Sequence, residues 1–154
     1  MRILFSSTKG AGHLGPLVPY VQALARLGHQ VRVSAPEGAS EALQRAGLVQ
    51  ARASDPSDEE SKAFWDRLDA AKGDDALALG FREGFSGILA RSAMPALQQT
   101  ISDWRPDLIV RESAEFAALV AAERAAIPHA CVAVHSGRFE AWASTHVIEP
   151  ISLS

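Results

Sequence analysis

Apolar residues in this chain fall into short unbroken runs, separated by longer stretches in which they recur every three or four positions. The first run, Ile3-Leu4-Phe5, predicts a buried strand over 2–6. Leu17, Val21, Leu24 and Leu27 then recur at helical spacing behind Pro16, so a helix is expected over 16–27, stopped by Gly28. Val31 and Val33 mark a second strand over 30–35, ended by Pro36, and a short helix over 39–46 is closed by Gly47. Residues 48–53 make a weak third strand. The acidic, turn-rich stretch 54–62 reads as a solvated loop or a helix start, and Phe64, Trp65 and Leu68 suggest a short helix over 64–71. A long helical pattern covers 75–104. Gly80, Gly84, Gly87 and Pro95 interrupt it, which predicts two or three pieces with bends. Leu108-Ile109-Val110 mark a strand over 107–112, followed by a helix over 114–126 and a buried strand over 130–134. The tail, 135–154, has no clear period.

Strands without alternation, spaced by helices, imply a parallel sheet covered on both faces. The expected fold is therefore α/β, a doubly wound Rossmann-like sheet forming a single domain over 1–154. The 154 residues carry a net charge of −3, which gives no reason to expect nucleic acid or an anionic membrane as partner. No apolar run approaches the ~18–20 residues of a membrane span. The chain enters a strand at once, without a basic stretch followed by an apolar one, so a cytoplasmic location is expected. Cys131, the single cysteine, lies in an apolar run and is expected to be buried.

Between the first strand and first helix lies Gly10-Ala11-Gly12-His13-Leu14-Gly15-Pro16, which reads as a flexible turn carrying one titratable side chain. The spacing of Gly10, Gly12 and Gly15 matches the dinucleotide-binding fingerprint, with Glu37 available as a ribose-binding acid. Two details argue against an NAD or FAD site. Ser7-Thr8-Lys9 separates strand from first glycine, and Pro16 starts the helix only after the third.

Topology gives a sharper reading. In the usual doubly wound order 3-2-1-4-5, strands 1 and 4 are neighbours, and ligands bind in the crevice at their carboxyl ends. His13 follows strand 1 and Glu112 ends strand 4. A carboxylate beside an imidazole fixes its tautomer and steadies the imidazolium, a pairing suited to general-base chemistry. The neutral imidazole is the active form, so activity is expected to fall in acid.

The segment Met1-Arg2-Ile3-Leu4-Phe5, then Gly12-His13-Leu14-Gly15-Pro16-Leu17-Val18-Pro19 and Ala23-Leu24-Ala25-Arg26-Leu27-Gly28-His29-Gln30-Val31, resembles the amino-terminal half of the GT-B glycosyltransferases. The likeness is to the family 1-like bacterial enzymes that glycosylate antibiotics and other natural products. Trp104-Arg105-Pro106-Asp107-Leu108-Ile109-Val110-Arg111-Glu112 and Ala122-Glu123-Arg124-Ala125-Ala126-Ile127-Pro128-His129 fit that group as well, whereas residues 51–100 do so poorly.

The resemblance implies an acceptor-binding half of an inverting hexosyltransferase, with the donor-binding domain outside this chain. It matches His13 to the family's base and Glu112, by position, to its usual aspartate, with Glu115 as a substitute. His29 is expected to be structural. A nucleoside-diphosphate sugar would bind mainly to the second domain, touching this one near Gly12 and Leu14, with no cofactor and no metal. A lipophilic acceptor would meet Phe64, Trp65, Phe81, Phe85, His135, Phe139 and Trp142. A binding module without chemistry stays as the alternative, and a homodimer is left open.

Overall fold

The computed structural model describes residues 1–51 and 54–143. Four parallel strands form one sheet: β1 (Arg2–Ser6), β2 (Gln30–Ser34), β3 (Leu108–Glu112) and β4 (His129–Val132), in the order β2-β1-β3-β4. The expected third strand is reduced to a parallel bridge between Val33 and Gln50. There Val33 N–H donates to the Val49 carbonyl and Ala51 N–H to the Val33 carbonyl, both at 2.8 Å. Counting that bridge, the order is the doubly wound one expected; residues 52 and 53 lie outside the described residues. Ser6 stands opposite Arg111 in the β1–β3 register. The carboxyl ends of the two central strands are therefore flush, and whatever follows Ser6 meets whatever follows Arg111.

Successive residues of β1 point to opposite faces, and both faces are covered. Ile3 and Phe5 pack with Val33, Val110, Leu14, Leu17, Val21 and Leu43 beneath α1 (Ala11–Leu14), α2 (Val18–Arg26) and α3 (Ser40–Arg45). Leu4 and Ile109 pack on the other face. Against them lie Leu97 and Trp104 of α6 (Ala90–Trp104) and the alanine stripe Ala117, Ala118, Ala121 and Ala122 of α7 (Phe116–Ala125). Small side chains on α7 let that helix lie close to the sheet.

Some expectations hold in part and others are corrected. The turn after β1 is not a flexible loop through Gly15. The chain is helical from Ala11, tightens into a 3₁₀ turn over Gly15–Leu17 that absorbs Pro16, and continues as α2. Helix α4 (Asp58–Ala70) begins within the acidic stretch because Ser57 builds a capping box. Its hydroxyl accepts from Glu60 N–H at 3.2 Å, and the Glu60 carboxylate accepts from Ser57 N–H at 3.3 Å. The long pattern falls into three pieces, within the two or three expected, but they follow one another without a gap in the helix. α5 (Gly73–Leu79) runs into a π-helical segment, Gly80–Leu89, and this into α6. Cys131 is exposed rather than buried: among the described residues β4 is the edge of the sheet, and Ala130 and Cys131, on opposite faces, are both left uncovered. The described part of the tail, which shows no clear period, forms α8 (Gly137–Ala143), and residues 144–154 lie outside the described residues.

One glycine of the π segment is required by packing. A β-carbon at Gly84 would stand 2.7 Å from Cζ of Phe64, whose ring is buried between α4 and the segment. Gly84→Ala should therefore destabilise the fold by about 1–3 kcal/mol in urea unfolding, despite alanine's better helix propensity. Phe64→Leu in the same background should recover part of the loss. A Gly84→Ala protein as stable as the parent would show that the ring moves aside freely.

Candidate functional site

The site is built on the flush ends of β1 and β3. Glu112, the last residue of β3, has no solvent exposure, so its charge must be met from within. Oε1 accepts from the Thr8 hydroxyl at 2.8 Å and from Thr8 N–H at 3.3 Å; Oε2 accepts from Ala114 N–H at 2.6 Å. Burial alone would push this carboxyl up. The His13 contact, the Ala114 N–H, the charge of a protonated His13 and the Thr8 hydroxyl outweigh it and hold Glu112 below the usual carboxylate range.

His13 reaches Glu112 because Gly10 turns the chain. Gly10 has φ 119°, a conformation that costs an L side chain heavily, and its carbonyl accepts from His13 N–H at 3.1 Å and Leu14 N–H at 3.2 Å. The short helix that follows swings His13 back over β3. Its Nδ1 is buried 3.2 Å from Glu112 Oε1. The N–H does not line up with that oxygen, so the two are at ion-pair distance without an aligned hydrogen bond. The opposite edge of the ring, with Nε2, is the one left to meet a ligand.

The other glycines do not serve a dinucleotide fingerprint. A β-carbon on Gly12 or Gly15 would meet nothing within 4 Å, so the tight helix–strand packing that the fingerprint's third glycine permits is missing. Gly12 is exposed on α1. Leu14 sends its side chain into the core and lines a cleft with Lys9, Gly10, Ala11, Pro36, Gly38, Ala39 and Ala42.

Five of the seven aromatic candidates gather beside His13. Its ring lies 5.2 Å from Phe85 and 5.6 Å, edge to face, from His135. Phe81 touches Phe85, His135 and Phe139, and Phe139 stacks on Trp142 at 5.7 Å. Phe81 is buried in a third core cluster with Ala114, Phe116 and Ala143, so it supports this wall rather than surfacing it. Phe64 and Trp65 stand apart as a T-shaped pair, Phe64 buried and Trp65 exposed. His29 packs at the start of the sheet, 3.4 Å from the terminal amine of Met1.

Glu115, the alternative carboxylate, caps α7 by accepting from Ala118 N–H at 2.7 Å. Thr8 is the participant that sequence reasoning missed. Its signal was a hydroxyl placed immediately past strand 1, in a spacer weighed only as an argument against the fingerprint. Among the described residues no cluster of His, Cys, Asp or Glu is arranged to hold a metal, and no helix is long and apolar enough to cross a membrane.

Glu115 makes stability depend on pH. Burial raises its pKa to about 7, the negative charge of Glu112 adds to this, and the Ala118 N–H, the Ser6 hydroxyl and Arg111 oppose it. The fold thus favours the protonated form. Its contribution is complete below the ordinary carboxylate pKa and is lost as pH rises through about 7. Glu115→Gln, which keeps the cap acceptor, should gain on the order of 2–3 kcal/mol relative to the parent between about pH 5 and about pH 8.5. Urea unfolding at the two pH values checks this; an unchanged difference would mean that Glu115 is ionised in the fold.

Residues 22–147 match the family described as erythromycin biosynthesis protein CIII-like, N-terminal domain. The L-demethylnoviosyl transferase of Streptomyces niveus is 33% identical over 133 residues, covering 83% of this chain and 33% of that protein. The 3-alpha-mycarosylerythronolide B desosaminyl transferase of Saccharopolyspora erythraea is 29% identical over 154 residues, covering 84% of this chain and 35% of that protein. Among solved structures, the Streptomyces sp. SF2575 glycosyltransferase SsfS6 superposes with a TM-score of 0.72 at 28% identity, over 86% of this chain and 39% of that one. SsfS6 has also been solved complexed with thymidine diphosphate. The chain spans about a third of the length of the curated relatives it matches. Its fold is the Rossmann-like amino-terminal half of a GT-B glycosyltransferase.

Proposed function

The chain belongs to the family of erythromycin biosynthesis protein CIII-like N-terminal domains, and on that premise we propose that residues 1–154 are the acceptor-binding, base-supplying domain of an inverting glycosyltransferase. The observation that carries the reading is the buried, charged Glu112 held 3.2 Å from Nδ1 of His13. A carboxylate kept ionised at that place favours a proton on Nδ1, leaves the Nε2 lone pair free, and stabilises the imidazolium once a second proton arrives.

The donor is a nucleoside-diphosphate sugar, by likeness to the SsfS6 complex with thymidine diphosphate. It is held mainly by a second domain and approaches this one along α1, at Gly12 and the main chain of Leu14. The acceptor is a lipophilic small molecule resting on Phe85, His135, Phe139 and Trp142. Nε2 of His13 takes the proton of an acceptor hydroxyl as its oxygen attacks the anomeric carbon. The bond from that carbon to the diphosphate breaks on the opposite face, which inverts the configuration. The negative charge leaves with the diphosphate, and neither a covalent intermediate nor a metal is needed from these residues.

In the intact enzyme containing this domain, His13→Ala should lower kcat for hydroxyl acceptors by about 10²–10⁴-fold. Circular dichroism should stay unchanged, and acceptor affinity should fall by no more than the roughly tenfold that one hydrogen bond is worth. Near-parental turnover in that variant would remove His13 from the chemistry. Acceptor binding without any glycoside formed by the parent enzyme and nucleotide sugar would instead favour a non-catalytic binding module.

A further inference from the structure

A second imidazole–carboxylate pair stands beside the first, within the aromatic wall. Ser113 follows β3, His135 follows β4, and Glu140 comes from α8. The Ser113 hydroxyl donates to Glu140 Oε1 at 2.6 Å and accepts from Val134 N–H at 3.3 Å. Nδ1 of His135 lies 3.3 Å from Ser113 Oγ and 3.4 Å from Glu140 Oε1. His135 N–H donates to the same carboxylate oxygen at 3.2 Å.

Proton counting fixes the tautomer. Ser113 has one hydroxyl proton, and the short contact commits it to Glu140. What Ser113 Oγ and Glu140 Oε1 then offer His135 is lone pairs, so in the neutral ring Nδ1 carries the proton and Nε2 the lone pair. His135 thus repeats the polarity of His13, a carboxylate behind Nδ1 and a bare Nε2. Its ring is 5.6 Å from His13 and 4.8 Å from Phe139.

We infer that Ser113, His135 and Glu140 form a second polar subsite, which accepts a hydrogen bond from a second hydroxyl of the acceptor. The acceptor class is then a flat apolar compound with hydroxyls on neighbouring carbons. Two rings in edge-to-face contact can each take one of two oxygens about 3 Å apart, the spacing of hydroxyls on neighbouring carbons. The stacked rings of Phe139 and Trp142 supply the apolar floor beside them. One hydroxyl meets His13 and reacts; the other is held by His135 and sets which of the two is presented. The inference rests on the proposed acceptor site and deepens it.

The competing role for His135 is to brace His13 by its edge-to-face contact. The two roles separate in a binding experiment on this chain. The probes are naphthalene with two adjacent hydroxyls and naphthalene with one, followed by quenching of tryptophan fluorescence. The parent should prefer the diol by about five- to tenfold, the worth of one hydrogen bond. His135→Ala should abolish the preference, and His135→Gln, whose amide oxygen can stand in for Nε2, should restore it. Equal binding of both probes by the parent overturns the second subsite and leaves the acceptor site standing. Equal weakening of both probes in His135→Ala, with the preference kept, assigns His135 to packing alone. Binding of neither probe overturns the acceptor site and the inference together. Long-range proton–nitrogen NMR of the parent tests the tautomer without any variant. A neutral His135 with its proton on Nε2 would overturn the subsite as drawn.

Discussion

A carboxylate without solvent contact is tolerable only if its surroundings are built to receive its charge, and Glu112 sets that demand on the whole carboxyl end of the sheet. Thr8 must stand just past β1, the chain must turn so that Ala114 N–H points back, and an imidazole must close the third side. The parallel register makes this attainable, because it brings the strand ends level before any side chain is placed. The result is a carboxylate held from three sides. Nearby Glu115, equally buried but facing one main-chain donor, a hydroxyl and a neighbouring negative charge, is driven the other way. Two glutamates three positions apart thus carry opposite ionisation preferences, each set by how many donors the fold aims at it.

Much of this was legible in the sequence. Apolar runs gave β1, β2 and β3, and the doubly wound order alone made residues 13 and 112 neighbours although 99 positions separate them. Local preference misled in the glycine stretch. Gly10 to Gly15 has poor intrinsic helix propensity, yet burial of Leu14 and Leu17 against Ile3 and Phe5 outweighs it. Only Gly10 within that stretch keeps the backbone that glycine uniquely permits. Cys131 was misread because composition shows an apolar run but not which strand ends up at the edge.

Other features left almost no trace. Glu140 and Ser113 enter through a seven-residue helix in a segment without periodicity and through a polar position beside a strand end. The π segment was misjudged for a related reason. Its glycines signal weak α-helix, but a wide turn and a kink are alternative answers to the same weakness, and the choice depends on packing. Here Phe64 occupies the space that Gly84 leaves, and the Ser86 hydroxyl, 2.9 Å from both the Phe81 and Arg82 carbonyls, shares its one proton between them and ties down the loosened main chain.

A π-helical stretch amounts to an α-helix that has swallowed extra residues, and it marks where a helix tolerates changes of length. In α geometry each residue turns the helix by about 100°. Removing one residue from Gly80–Leu89 would therefore re-aim Phe81 and Phe85 relative to α6 while leaving the strand ends, Thr8 and the His13–Glu112 pair where they are. The aromatic wall would change while the imidazole–carboxylate pair kept its backbone supports, with the Phe85–His13 ring contact as the point where the two meet. Changes of length, usually ruinous inside a helix, are here a means of reshaping one wall of a cleft while the sheet beneath it stays as it is.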